Sequence, residues 1–186
     1  MRFRVAVLLS VILLAAACGG TPTPITDIAP TPRVTLPADE GPHDSVIEWW
    51  YFNGLLTDDR DQEYSYHYVT FQGEAVGAAV PHLLQASLGD HKAGRHLTGE
   101  QILLGSLDPD AASVDAVVNG WVMQGDGEIY SLDFELGDYS LKLTAVSTKP
   151  PVLHQGSGLV HLGPAGDTFY YTRPRLDVKG IITENK

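Results

Sequence analysis

The sequence predicts an antiparallel all-β domain. Within residues 63 to 71, three tyrosines alternate with Ser65, His67 and Val69, which is the period-two pattern of a strand. Its aromatic side carries Tyr64, Tyr66 and Tyr68. Downstream, three strand-like segments are separated by short glycine-aspartate turns, and helix signals are weak throughout. The chain therefore holds about eight to ten strands. A sheet of that size closes into a barrel or pairs as a sandwich, because exposed edges invite aggregation.

The second half of the chain is predicted to be a meander. Residues 114 to 124, 129 to 136 and 139 to 147 are predicted strands joined by Gly125-Asp126-Gly127 and Gly137-Asp138, and the second and third of them alternate. Residues 157 to 162 add a further strand. Residues 168 to 182 add a long one interrupted at Pro174, since proline cannot donate to a ladder. Only residues 101 to 107 and 108 to 116 could form short helices.

The first 33 residues are predicted to be a leader and a tether. Arg2 and Arg4 precede an apolar run too short to span a membrane as a mature helix, so residues 1 to 17 are interpreted as a signal peptide. Small residues lead to Cys18, the single cysteine, as in a bacterial lipobox, and we expect Cys18 to be lipidated. The alternative is an ordinary secretory cleavage site with a bystander thiol. Residues 18 to 33 are rich in proline and threonine and predict an extended tether.

Residues 34 to 186 are long enough for one domain with a real core. The chain is acidic, with 12 lysines and arginines against 23 aspartates and glutamates and a net charge of −11. Such a surface repels nucleic acid, so a nucleic-acid partner is excluded. The predicted location is extracytoplasmic, with the domain anchored by lipid to the bacterial cell envelope.

The segment Glu48-Trp49-Trp50-Tyr51-Phe52 is the candidate functional strand. In a strand, Trp50 and Phe52 would share one face with Glu48, while Trp49 and Tyr51 would share the other. One face can seal a core and the other can line a cavity. A buried aromatic strand with an incidental acid remains an alternative, but Glu48 then needs a partner, because an unpaired buried charge is costly.

Two groups of residues resemble a known family. The first is Pro37-Ala38-Asp39-Glu40-Gly41-Pro42-His43, followed by Glu48-Trp49-Trp50-Tyr51 and Gly54. The second is Lys149-Pro150-Pro151-Val152-Leu153-His154, followed by Tyr170-Tyr171-Thr172-Arg173-Pro174-Arg175-Leu176. Both, in this order, are similar to segments of the AttH/CrtC-like family, which contains carotenoid 1,2-hydratases and related lipocalin-like proteins.

The resemblance implies an antiparallel lipocalin-like β-barrel, and it favours the barrel over the sandwich. Family members usually carry two such barrels, with a Trp-x-Asp-x-x-Trp-Gly motif in the second. This chain resembles the N-terminal half only, so we expect one barrel of a longer parent, truncated after it.

The resemblance also implies candidate chemistry. A hydratase must protonate an alkene and stabilise a carbocation, and Glu48 is the candidate acid, with His67 as a proton relay. Trp49, Trp50 and Tyr51 are candidate ligand-binding residues. Tyr171, Arg173 and Arg175 would share a face if their strand continued, so Tyr171 and Arg173 join that set. The arginines could grip a ligand carboxylate or pair structurally with Glu48.

The histidines do not predict a metal centre. His82, Asp90, His91 and His96 are suitable ligand types, but no tight spacing puts them on one face, and residues 90 to 96 are interpreted as a loop. We predict no metal and no cofactor.

Three functions remain open. The first is a membrane-anchored module binding an apolar or amphipathic small molecule. The second is a hydratase or isomerase acting on a carotenoid or terpenoid, complete only with a second barrel, so that this chain alone would be inactive. The third is a structural half-module that docks to a partner barrel or an exporter complex.

Overall fold

The computed structural model describes residues 33 to 77, 79 to 105, 111 and 113 to 185. The leader, Cys18 and most of the tether lie outside these residues. The described chain is almost entirely antiparallel β-structure, which confirms the predicted fold class. Its strands are β1 (Ile47–Thr57), β2 (Glu63–Gly73), β3 (Val80–Asp90), β4 (Arg95–Gly105), β5 (Asp115–Val118), β6 (Trp121–Gly125), β7 (Ile129–Leu136), β8 (Tyr139–Ser147), β9 (Val152–Leu153), β10 (Leu159–His161), β11 (Asp167–Phe169), β12 (Tyr171–Thr172) and β13 (Leu176–Glu184).

Hydrogen bonds join the long strands into two sheets. The first sheet has the order β1-β2-β3-β4, and the second has the order β13-β8-β7-β6-β5. Strands β10 and β11 form one small hairpin, and β9 pairs with β12. Strands β1 and β13 each end a sheet, so each leaves one side of its backbone unpaired within the described residues.

The aromatic ladder of β2 lies on one side of the strand, as the alternation predicted, and that side faces the core. Tyr64, Tyr66 and Tyr68 are all buried, and Tyr68 packs against Phe134 of β7 with ring centroids 4.7 Å apart. On β1, Phe52 lies opposite Tyr68, and Trp50 packs against the same core. The core therefore lies between the inner faces of the two sheets. It is formed by the inward-facing residues of both sheets.

Four local predictions were wrong or incomplete. Residues 114 to 124, predicted as one strand, form the hairpin of β5 and β6, because the chain turns at Asn119 and Gly120, both with positive φ. Residues 101 to 105 belong to β4 rather than to a helix, because their side chains continue the antiparallel register with β3. Of residues 108 to 116, the part the structure describes leads into β5. The predicted loop from residue 90 to residue 96 is a tight turn between β3 and β4, with His96 on β4. The helix prediction failed because β4 alternates weakly.

The predicted break at Pro174 is confirmed. The long strand is divided into β11, β12 and β13, and residues 173 to 175 lie in no strand. The shared face proposed for Tyr171, Arg173 and Arg175 therefore does not form, since that alternation requires a continuous strand.

The outer face of the first sheet carries an apolar row. Trp49 lies opposite Phe71, Phe71 opposite Leu83, and Leu83 opposite Ile102. Ile102 is 70% exposed. This row crosses all four strands at the end of the sheet where β1 begins. None of the helical turns in the described part of the chain is long and apolar enough to cross a membrane.

We expect Tyr68→Phe to leave the free energy of unfolding unchanged or to raise it slightly. The Tyr68 hydroxyl is buried and has no hydrogen-bond partner among the described residues, so removing it removes a desolvation penalty. The matched control is Tyr139→Phe, which deletes a buried hydroxyl that donates to Asp90 Oδ2 at 2.7 Å. That change should cost about 1 to 3 kcal/mol. Urea titration measures both; equal losses in the two variants would contradict the assigned packing.

Candidate functional site: a cleft along the edge strand

An open cleft of about 1420 Å³ runs along β1. We call it the β1 cleft. Its walls are β1 itself, residues 33 to 48 before it, and residues 162 to 178, which approach from the other end of the chain. Because β1 is an edge strand, side chains from both of its faces reach the cleft. Nine of the lining residues are tryptophan, tyrosine or phenylalanine, and the two groups of residues that carry the family resemblance meet here.

A buried carboxylate fixes one wall. Glu40, at the end of the 3-10 turn Ala38–Glu40, is only 2% exposed. Arg173 holds it with two donors, Nε to Oε1 at 3.1 Å and Nη2 to Oε2 at 2.7 Å. The Tyr130 hydroxyl also donates to Oε1. The indole of Trp50 donates to the Glu40 carbonyl at 3.0 Å. We call Glu40, Arg173 and Tyr130 the Glu40 clamp.

The clamp joins parts of the chain that are distant in sequence. Burial, followed by the hydrogen bond to Glu40, raises the pKa of Tyr130, so its hydroxyl stays protonated and donates. Burial and then the charge of Glu40 also raise the pKa of Tyr171. Gly127 lies against the clamp with φ +92°, and a Cβ there would be 2.7 Å from Glu40 Oε2. The turn before β7 thus needs glycine for both conformation and space.

A second carboxylate lies at the start of β1 with a different partner. Glu48 Oε1 is 2.7 Å from His43 Nδ1, and Glu48 Oε2 accepts the backbone N–H of His43 at 2.7 Å. The side chains of His43 and Glu48 are 44% and 20% exposed. The sequence-based alternative that Glu48 pairs with Arg173 or Arg175 is therefore wrong: Arg173 pairs with Glu40, and within the described residues no ion pair joins Glu48 to Arg175.

Polar side chains continue from this pair across the inner face of the first sheet. Buried Gln72, opposite Glu48 on β2, donates to the His43 carbonyl at 3.0 Å. The Gln72 carbonyl oxygen lies 3.3 Å from His82 Nε2, and His82 Nδ1 lies 3.0 Å from the Val80 carbonyl. Burial lowers the pKa of His82. The row anchors the segment before β1 to the sheet.

Two tyrosines meet on the outer face of β1. The hydroxyls of Tyr51 and Tyr170 are 2.5 Å apart, and this hydrogen bond, with burial, raises the pKa of Tyr170 to about 12. The ring of Tyr170 stacks on His154 at 4.2 Å and lies 6.4 Å from Trp49. His154 Nε2 in turn lies 2.9 Å from the Thr172 hydroxyl. These contacts hold the outer wall of the cleft against β1.

The structure brings together most of the predicted site residues. Trp49, Trp50, Tyr51, Tyr171, Arg173 and Glu48 all line the β1 cleft. His67 does not join them. It lies opposite Asn53, five positions along β1 from Glu48, which corresponds to about 17 Å. It also points to the other face of the sheet. A proton relay from His67 to Glu48 is therefore ruled out by register.

Sequence reasoning missed four residues that organise the site: Glu40, His43, Tyr130 and Tyr170. Glu40 ends a three-residue 3-10 turn and His43 follows it in irregular structure, so no periodicity indicates the direction of either side chain. The sequence did contain one indication for His43. An acid within an aromatic strand needs a hydrogen-bond donor, and His43 is only five residues before Glu48.

The remaining histidines lie on the surface. His91 Nε2 is 3.1 Å from the Ser65 hydroxyl, His161 Nδ1 is 2.6 Å from Asp167 Oδ1, and His96 is exposed on β4. Among the described residues, no three histidine, cysteine, aspartate or glutamate side chains come together as a metal site would require.

The sequence profile of the AttH-like family matches residues 27 to 186. The chain belongs to the AttH-like family. A search of curated proteins found no significant match.

Two solved structures share its fold. An AttH protein of Nitrosomonas europaea superposes with a TM-score of 0.70 at 23% identity, covering 86% of this chain and 53% of that one. Kievitone hydratase of Nectria haematococca superposes with a TM-score of 0.63 at 17% identity, covering 82% of this chain and 46% of that one. The chain thus spans about half the length of each, and it shares their lipocalin-like β-fold over that half.

We expect Glu40→Gln to destabilise the AttH-like domain by about 3 to 5 kcal/mol, because it leaves the Arg173 guanidinium buried without its counter-charge. The matched control is Asp138→Asn. Asp138 also receives two arginine hydrogen bonds, from Arg95, but the side chains of that pair are 39% and 36% exposed. Its loss should cost much less than the loss of Glu40, because solvent screens an exposed ion pair. Chemical denaturation compares the two, and similar losses would show that the Glu40 clamp is not a structural anchor.

Proposed function

We propose that this AttH-like domain binds an apolar or amphipathic small molecule in the β1 cleft. The observation that carries the proposal is the cleft itself, an open space of about 1420 Å³ lined by aromatic side chains from both faces of an edge strand. Binding sites for small molecules are concave and mostly apolar, with a few placed polar groups. The cleft has this character, and it is large enough for a long-chain or polycyclic ligand.

The polar groups of the cleft have different roles in this proposal. Arg173 has committed Nε and Nη2 to Glu40, and its Nη1 lies 3.4 Å from the Ser147 hydroxyl. It therefore shapes the wall rather than gripping a ligand carboxylate. Trp49, Trp50 and Tyr51 supply the apolar contact surface, and Phe169, 54% exposed, extends it on the opposite wall.

A hydratase is the second candidate. The observation that favours it is the His43–Glu48 pair, an ionisable dyad on the wall of an aromatic cleft. Aromatic faces stabilise cations, and a carboxylate–imidazole pair is suited to proton transfer. The fold shared with kievitone hydratase is consistent with this chemistry but supports it only at the level of fold.

The location is also a proposal, and it rests on the leader sequence. Residues 1 to 17, Cys18 and the tether support export and lipid anchoring to a bacterial envelope, with the cleft carried outside the cytoplasm. The third expectation, docking to a second barrel or an exporter, remains a prediction.

We expect Cys18→Ser to move the protein from the membrane fraction to the soluble fraction, because the thiol is the acceptor for the lipid. The unchanged protein should incorporate labelled fatty acid and the variant should not. The control is the wild-type chain processed in parallel under the same export conditions. Identical partitioning of the two proteins would contradict the lipid anchor.

We expect a brominated long-chain alcohol, dibromo-dodecanol, to quench much of the tryptophan fluorescence in a saturable manner. Bromine quenches only on contact, and Trp49 and Trp50 line the cleft. Trp121 is 4% exposed in the core and serves as the internal reference. In the Trp49→Phe/Trp50→Phe double variant, the remaining Trp121 emission should be nearly insensitive to the probe. Unsaturable quenching, or equal quenching of Trp121, would contradict binding in the β1 cleft.

A further inference from the structure

The Glu48 carboxylate fixes the tautomer of His43. Both carboxylate oxygens face His43, one at Nδ1 and one at its backbone N–H, each at 2.7 Å. An ionised carboxylate can only accept hydrogen bonds, so Nδ1 must carry the hydrogen. In the neutral imidazole the other nitrogen, Nε2, then presents a lone pair. Glu48 thus acts on His43 as a positioning residue.

The Nε2 atom is available. Within the described residues no group forms a hydrogen bond to it, the His43 side chain is 44% exposed, and His43 lines the β1 cleft. The backbone around it is fixed, because the His43 carbonyl accepts hydrogen bonds from buried Gln72 and from the Ser45 N–H, both at 3.0 Å. The acceptor is therefore held in one place before any ligand arrives, which lowers the entropic cost of binding.

The surroundings select the class of head group. The cleft lining carries both signs of charge, with Arg33 and Arg175 as well as Asp39 and Glu48, so its total charge does not select the head group. The choice is local: a deprotonated head group has no hydrogen to donate to the Nε2 lone pair, and it would approach the charge of Glu48, which contacts His43 directly. A neutral hydroxyl can donate to Nε2 without that penalty. Apolar surface adjoins the dyad on β1, where Ile47 is 55% exposed and Trp49 follows.

We infer that His43, positioned by Glu48, is the head-group acceptor of the β1 cleft and that its ligands are apolar alcohols or phenols. This inference rests on the proposed small-molecule function and deepens it. Glu40 and Arg173 neutralise one another at the other wall, so the dyad supplies the directional acceptor that distinguishes a hydroxyl from its ether.

The test compares dibromo-dodecanol with its methyl ether, which has the same chain but no donor. Both are titrated by contact quenching into the purified protein. The wild type should bind the alcohol about 3- to 10-fold more tightly than the ether, the value of one hydrogen bond. His43→Leu should bind the two probes equally. His96→Leu, a histidine exposed on β4, is the matched control and should retain the preference.

Glu48→Gln provides a second, independent readout. The glutamine amide can donate to Nδ1, which moves the imidazole hydrogen to Nε2. The site then donates to the oxygen of either probe, so the preference for the alcohol should disappear while binding persists. If Glu48 had a purely structural role, the substitution would instead lower the affinity for both probes by the same factor.

The outcomes separate the two proposals. Equal binding of both probes by the wild type overturns the assignment of His43 and leaves the cleft as a binding site. A preference that survives in His43→Leu overturns it equally. Failure of the folded wild type to bind either probe overturns the proposed function together with this inference.

Discussion

The structure depends on one buried ion pair. Glu40 lies in the turn before β1, Tyr130 lies on β7 of the second sheet, and Arg173 lies between β12 and β13, so a single carboxylate joins three distant regions. A buried pair of this kind contributes little net stability compared with apolar packing, but breaking it is costly because the surviving charge stays buried. The clamp therefore acts on position more than on stability. It fixes the segments before β1 and before β13 relative to each other and to β7.

That constraint explains why the cleft exists. Strands β1 and β13 end their sheets, and the clamp holds the segments that precede them at a fixed separation. The aromatic side chains of β1 consequently meet two environments. Phe52 and Trp50 pack into the core between the sheets, while Trp49 and Tyr51 meet Tyr170, which His154 supports from behind. An edge strand with two aromatic faces gives the β1 cleft an apolar lining without opening the core.

The sequence predicted what period-two patterning controls. The inward face of β2, the meander from β6 to β8 and the break at Pro174 all follow from local alternation and from the chemistry of glycine and proline. It could not predict partners across long sequence separations in irregular segments. Glu40 and Arg173 are 133 positions apart, and neither lies in a strand that continues an alternating pattern. The same limit produced the error at His67: its residue type suited a relay, but only the pairing register places it on the wrong face and far from Glu48.

The two glutamates of the site show how environment divides roles between identical side chains. Glu40 is buried and receives two arginine donors and a tyrosine hydroxyl, so its charge is neutralised inside the wall of the cleft. Glu48 is partly exposed and receives both of its bonds from His43, so its negative charge orients an imidazole instead of neutralising a guanidinium. An arginine beside Glu48 would have made a second structural anchor. With a histidine there instead, the carboxylate holds the ring hydrogen on Nδ1. The second ring nitrogen, Nε2, is then a hydrogen-bond acceptor at the β1 cleft.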